Sequence, residues 1–166
     1  KFDRSYFERY YGKQPIHTVN EIAHLATAVH EMLAWWAAPV RSVLEVGAGR
    51  GDWGNWYRTL HPTVRVTSTD VSEHTCATFG HERRDIAQWA PKRPFDLVIC
   101  TDVLEHCPQQ DMPWIIGELF GYAEKFVFAN VACYPAHKRL PNGENAHCTI
   151  QPASWWVALV RDIARN

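Results

Sequence analysis

The chain has 166 residues, a formal net charge of −1, 46% hydrophobic and 21% charged residues. That balance belongs to an ordinary globular protein and excludes a disordered, collagen-like or coiled-coil chain. With an isoelectric point near 6.8 there is no broad basic surface, which argues against duplex nucleic acid as a partner.

Residues 1–17 are aromatic and charged (Tyr6, Phe7, Tyr10, Tyr11) and carry no clear periodicity. From Val19 to Trp36 apolar residues recur at helical spacing (Ile22, Leu25, Ala26, Val29, Met32, Leu33), with Asn20 as the expected cap and Pro39 as a stop. Ser42–Val46 predicts a strand that runs into a glycine cluster, and a short helix is expected over Trp53–Leu60. Val64–Thr69 predicts a second strand closed by Asp70. A helix near Ser72–Phe79 and a brief strand at Glu82–Arg84 follow. Phe95–Cys100 is a nearly continuous apolar run, as in a strand buried on both faces. Pro113–Tyr122 predicts a helix, Lys125–Val131 a fifth strand, Tyr134–Ala146 a loop, and Pro152–Ile163 a last amphipathic helix with proline in its first turn.

Strands alternating with helices imply an α/β fold. A Rossmann-like, doubly wound, mostly parallel sheet of about five strands is expected, with helices on both faces and a ligand site at the strands' carboxyl ends. The length fits one domain over residues 1–166, with 1–39 as a tail and helix that could fold over the site as a lid, and 40–166 as the core. No apolar run approaches the roughly 20 residues of a membrane helix, and with no apolar run behind the opening charges no signal peptide is expected. Five cysteines without a CxxC pair predict free thiols in a reducing, cytoplasmic compartment.

The strongest motif is Glu45-Val46-Gly47-Ala48-Gly49-Arg50-Gly51. Glycines after a buried strand let backbone N–H groups approach a ligand that a Cβ would push away. Dinucleotides and S-adenosylmethionine both exploit such a turn. Gly49-Arg50-Gly51-Asp52-Trp53-Gly54 also satisfies GxGxxG, and Asp70 stands where a dinucleotide site has its ribose carboxylate, so an NAD-binding oxidoreductase is a rival. Two further features favour the other ligand: Glu45 precedes the first glycine from within the strand, and Asp85 follows the third strand.

Strand, ExGxGxG, strand, Asp70, strand, Asp85 and the Phe95–Cys100 strand together resemble the class I S-adenosylmethionine-dependent methyltransferases over roughly residues 40–150. The resemblance implies that Gly47, Gly49 and Gly51 shape the loop around the methionine part, with Glu45 supporting that loop or the cofactor's ammonium. It places Asp70 on the ribose hydroxyls with Val71 beside the adenine, Asp85 and Ile86 on the adenine, and Thr101, Asp102 and Val103 under the methyl end. The cofactor would be S-adenosyl-L-methionine, the product S-adenosyl-L-homocysteine, and the acceptor a small molecule, with O-methylation of a sugar-like or natural-product-like substrate expected. A binding module that holds the cofactor without turnover is a further alternative.

Asp102-Val103-Leu104-Glu105-His106-Cys107 follows the fourth strand and should face the transferred methyl. His106 is a candidate general base, because imidazole titrates near the working pH, with Glu105 to orient it. His147, before the last helix, is a second candidate base. Asp102, Glu105, His106 and His147 also look like the metal-binding pattern of small-RNA 2′-O-methyltransferases. This chain has Asp at that pattern's first position and lacks a clear match to its second histidine motif, so no metal is expected, and a metal-dependent RNA 2′-O-methyltransferase stands as an alternative function. Among eight tryptophans, Trp53, Trp155 and Trp156 are candidates for an acceptor pocket. Methyltransferase sheets commonly end in two strands after the last helix. That hairpin is not found before Asn166, so the expectation is either a minimal five-stranded sheet or one whose C-terminal hairpin has been lost, with an uncovered edge that would favour pairing with another chain.

Overall fold

The computed structural model describes residues 19–165 together with Arg4 and Glu8, so the expected tail lies outside the described residues. The elements are α1 (Val19–Trp35), β1 (Ser42–Val46), α2 (Asp52–Leu60), β2 (Arg65–Asp70), α3 (Glu73–Phe79), β3 (Glu82–Arg83), β4 (Phe95–Thr101), α4 (Met112–Tyr122), β5 (Ala123–Asn130) and α5 (Ala153–Ile163). Two 3-10 turns, Leu104–His106 and Gln109–Asp111, link β4 to α4. Helix α1 begins at Val19, so Asn20 stands inside its first turn rather than before it. Strand β5 begins at Ala123, directly at the end of α4, two residues earlier than the sequence suggests.

The five strands form one sheet in the order β3-β2-β1-β4-β5, and every neighbouring pair is parallel. The chain winds outward from β1 to β3, then returns to place β4 on the other side of β1. The loops after β1 and β4 therefore diverge and open a crevice at the carboxyl edge. Strands β3 and β5 are the two edges.

Alternation along the strands feeds two cores. On one face Val43, Leu97 and Ile99 pack against Ala26, Val29 and Leu33 of α1 and Trp53 and Tyr57 of α2. On the other, Leu44, Val98 and Cys100 pack against Met112, Ile115, Ile116 and Leu119 of α4 and Trp156 of α5. Leu44 and Leu97 are fully buried; truncating either to Ala costs about 2–5 kcal/mol. At the opposite edge from the crevice, Asp96 accepts the N–H groups of Arg41 and Ser42 and pairs with Lys125 at 2.7 Å, tying β1, β4 and β5 into register.

Trp53 is 2% exposed and packs on Phe128, and Trp156 is buried in the α4 core. Both are core residues rather than pocket walls. Trp155 is partly buried and meets Trp156 edge-on. Among the described residues no helix is long and apolar enough to cross a membrane.

Candidate functional site

Strand β1 ends at Val46, and the chain must turn at once. Gly47, Gly49 and Gly51 all have positive φ, a conformation that a Cβ penalises. At Gly47 an added Cβ would run into the side chain of Val103, so the β1 and β4 loops touch at this point. Gly51 caps α2, and the ring of His81 fills the space beside it, with His81 Nε2 donating to the Gly49 carbonyl at 3.1 Å.

Asp70 organises the loop from the end of β2. Its Oδ2 accepts the Gly49 N–H at 3.0 Å and its Oδ1 accepts the Ser72 N–H at 2.8 Å. Ser72 in turn caps α3 by accepting the Thr75 N–H. One carboxylate thus holds the glycine turn and the entry to the next helix, while lone pairs remain for a ligand.

A cavity of about 220 Å³ opens between these loops. Of the residues expected at the cofactor, Gly47, Gly49, Asp70, Val71, Ile86, Asp102 and Val103 line it. Glu45, Gly51, Asp85 and Thr101 do not. Glu45 points to the far side of its strand, where Oε2 accepts the Gly54 N–H at 3.1 Å and the Ser68 hydroxyl at 2.7 Å. It braces α2 against the sheet and is 3% exposed. Burial pushes its carboxyl up to about 7, against the two hydrogen bonds and Arg58. Asp85 accepts the N–H of Ala87 at 2.9 Å, a turn-capping role. Thr101 is the last residue of β4, in register with Asn130.

Three wall residues carry no motif. Trp89 and Tyr122 meet edge-on, Arg84 lies over the Trp89 ring at 5.5 Å, and all three line the cavity. The Tyr122 hydroxyl donates to the Trp89 carbonyl at 2.6 Å, so α4 anchors the segment after β3. A long-range contact of this kind leaves no local signal in sequence.

Asp102 adopts φ +55, a left-handed conformation rare outside glycine and tolerated by Asp. Its N–H donates to the Asn130 carbonyl at 2.9 Å, and Asn130 Nδ2 donates to its Oδ1 at 3.3 Å. The following turn brings Glu105 and His106 to the crevice, and the 139–149 segment lays His147 beside them. The His106 and His147 rings meet edge-on at 4.9 Å. The clamp is made by backbone: the Glu105 carbonyl accepts the N–H groups of Cys148 and Thr149, and the Thr149 hydroxyl donates to the Cys107 carbonyl at 2.7 Å.

Glu105 does not take the expected orienting role. Its Oε1 accepts the Ala132 N–H at 3.2 Å, while His106 Nδ1 is held by the Ala146 carbonyl at 2.7 Å. Burial raises the Glu105 carboxyl to about 7. Burial, with help from His147, lowers the His106 pKa, against the opposing effect of the Ala146 bond. His106 lines the first cavity and also a second one formed by Leu140, Glu144, Asn145, Ala146, His147 and Cys148.

The family described as "Methyltransferase domain" matches residues 17–153. The chain belongs to that family. No curated protein sequence matches it. Among solved structures it is similar to the plantazolicin methyltransferase BpumL bound to S-adenosylhomocysteine and a pentazolic desmethyl analogue (TM-score 0.72, 12% identity, 97% of this chain and 67% of that one). It is also similar to the magnesium protoporphyrin IX methyltransferase of Synechocystis PCC 6803 with bound S-adenosylhomocysteine (TM-score 0.61, 20% identity, 98% and 84%). A third is an S-adenosylmethionine-dependent methyltransferase from Archaeoglobus fulgidus (TM-score 0.61, 14% identity, 97% and 74%). Family, fold and enzyme class agree with an S-adenosylmethionine-dependent methyltransferase, and the oxidoreductase alternative falls away.

Proposed function

We propose that this methyltransferase domain transfers the methyl group of S-adenosylmethionine to an oxygen of a small hydroxyl-bearing acceptor held beside the 139–148 loop. The observation that carries this is His106, whose side chain walls both the glycine-loop cavity and the cavity of Glu144, Asn145 and His147. A sulfonium methyl on one side and an acceptor on the other would meet there. The polar lining of the second cavity suits a sugar-like or natural-product-like hydroxyl compound.

In the cofactor cavity Asp70 takes the ribose hydroxyls, while Ile86 and Trp89 flank the adenine. Gly47, Gly49 and Asp102 surround the methionine end. The acceptor oxygen displaces the sulfonium in line, the O–CH₃ bond forms as the S–CH₃ bond breaks, and S-adenosylhomocysteine leaves. The domain contributes alignment. In the metal-free protein the acceptor's proton goes to Nε2 of His106, which carries the lone pair because Nδ1 donates to the Ala146 carbonyl.

The test is turnover of S-adenosylmethionine against a panel of hydroxylated acceptors, in wild type and His106→Gln. We expect kcat to drop roughly 100-fold or more in the variant, a loss far larger than any change in S-adenosylhomocysteine affinity. Full turnover in a folded His106→Gln variant overturns the role of His106. Transfer only to nitrogen or carbon acceptors overturns the acceptor class.

A further inference from the structure

We propose that Glu105, His106 and His147 form a binding site for a divalent transition-metal ion at the junction of the two cavities. One carboxylate oxygen and one nitrogen from each ring all lie within 4.8 Å of one another. Tetrahedral ligands at about 2.0–2.2 Å from an ion stand about 3.3–3.6 Å apart, so a pair at the outer limit closes by roughly 1.5 Å at most, a movement within reach of side-chain rotation.

The chemistry of each donor suits an ion. His106 Nδ1 and His147 Nδ1 each lie 2.7 Å from a backbone carbonyl, of Ala146 and of Tyr134. A carbonyl only accepts, so each ring places an N–H on Nδ1 and, in its neutral form, its lone pair on Nε2. This is the arrangement that orients metal-ligating imidazoles. Glu105 is 1% exposed, and its Oε2 is buried without a hydrogen-bond partner, while Oε1 is held by the Ala132 N–H. A buried carboxylate oxygen is normally satisfied, and an ion between the rings would satisfy this one.

The donors are also preorganised. The bonds from Cys148 and Thr149 to the Glu105 carbonyl lock the two ligand-bearing segments together. Two imidazoles and one carboxylate favour Zn²⁺, Co²⁺ or a neighbouring first-row ion over Mg²⁺ or Ca²⁺. Three protein ligands leave coordination positions open to the cavities. Ion binding does not depend on the acceptor class. Where the two combine, a coordinated acceptor hydroxyl would lose its proton to solvent, and the general-base route through His106 would be replaced.

The test is calorimetric and optical titration of the chelator-stripped protein with Co²⁺, alongside a titration with S-adenosylhomocysteine. We expect one Co²⁺ per chain, displaced by Zn²⁺, and an affinity at least roughly 100-fold weaker in His147→Ala. His147 is the chosen position because Glu105 is built into the fold. Absence of saturable binding, equal binding by His147→Ala, or a thiolate charge-transfer band placing the ion on cysteine would each overturn the site. Binding of S-adenosylhomocysteine without Co²⁺ removes the metal site and leaves the methyltransferase reading standing. Binding of Co²⁺ alone does the reverse.

Discussion

Replacing Asp70 strikes the residue that joins loop architecture to ligand recognition. Its two oxygens already accept the Gly49 and Ser72 N–H groups, and a carboxylate has about four acceptor sites. The remaining lone pairs are the ones available to a ribose diol. Losing charge-assisted bonds to two hydroxyls costs about 1.5–3 kcal/mol, or roughly 10–100-fold in affinity. Asp70→Ala also leaves two backbone donors unpaired at an 8% exposed position, so a further 1–3 kcal/mol or so of stability goes with it. Asp70→Asn is the sharper probe, since an amide must turn its NH₂ toward one of two N–H donors and cannot satisfy both. Calorimetric titration with S-adenosylhomocysteine, with thermal unfolding run in parallel, separates the two effects. Both variants should bind at least tenfold more weakly while still unfolding cooperatively. A folded Asp70→Ala that binds like wild type refutes the assignment.

Glu45 gives a pH signature. Its folded pKa of about 7 lies above the ordinary carboxylate value of 4.5, so the native state holds an extra proton between those limits and its stability falls as pH rises through them. The span corresponds to about 3 kcal/mol, and Glu45→Gln should flatten the decline in melting temperature from pH 5 to 8 relative to wild type. An equally steep variant would show that Glu45 is not the group responsible. Gly47→Ala places a Cβ against Val103 at a positive φ; we expect roughly tenfold or greater loss of S-adenosylhomocysteine affinity by calorimetry. Tyr122→Phe removes the bond to the Trp89 carbonyl; it should cost about 1 kcal/mol in denaturant unfolding and weaken the same ligand severalfold.

Much of this fold is legible because its signals are local. The apolar run of β4, the glycines after β1 and the helical spacing of α1 each report their own conformation, and the alternation of elements implies the parallel sheet. Side-chain direction at strand ends was harder. Glu45 and Val46 are adjacent and face opposite sides of the sheet, so the acid in the ExGxGxG motif braces α2 while Val46 lines the cavity. Asp85 has the residue type expected at an adenine but spends its carboxylate on the Ala87 N–H. Trp89 was hidden because its placement depends on Tyr122, 33 positions away in sequence. The convergence of His106 and His147 rests on backbone bonds from Glu105 to Cys148 and Thr149, which no periodicity announces.

The most direct test of the central claim is titration of the domain with S-adenosylhomocysteine, with NAD as the parallel control. A cofactor cavity built from Gly47, Gly49, Asp70, Ile86 and Trp89 predicts one-to-one micromolar binding of S-adenosylhomocysteine and no heat from NAD. Binding of NAD alone, or of neither ligand to the folded chain, would contradict it.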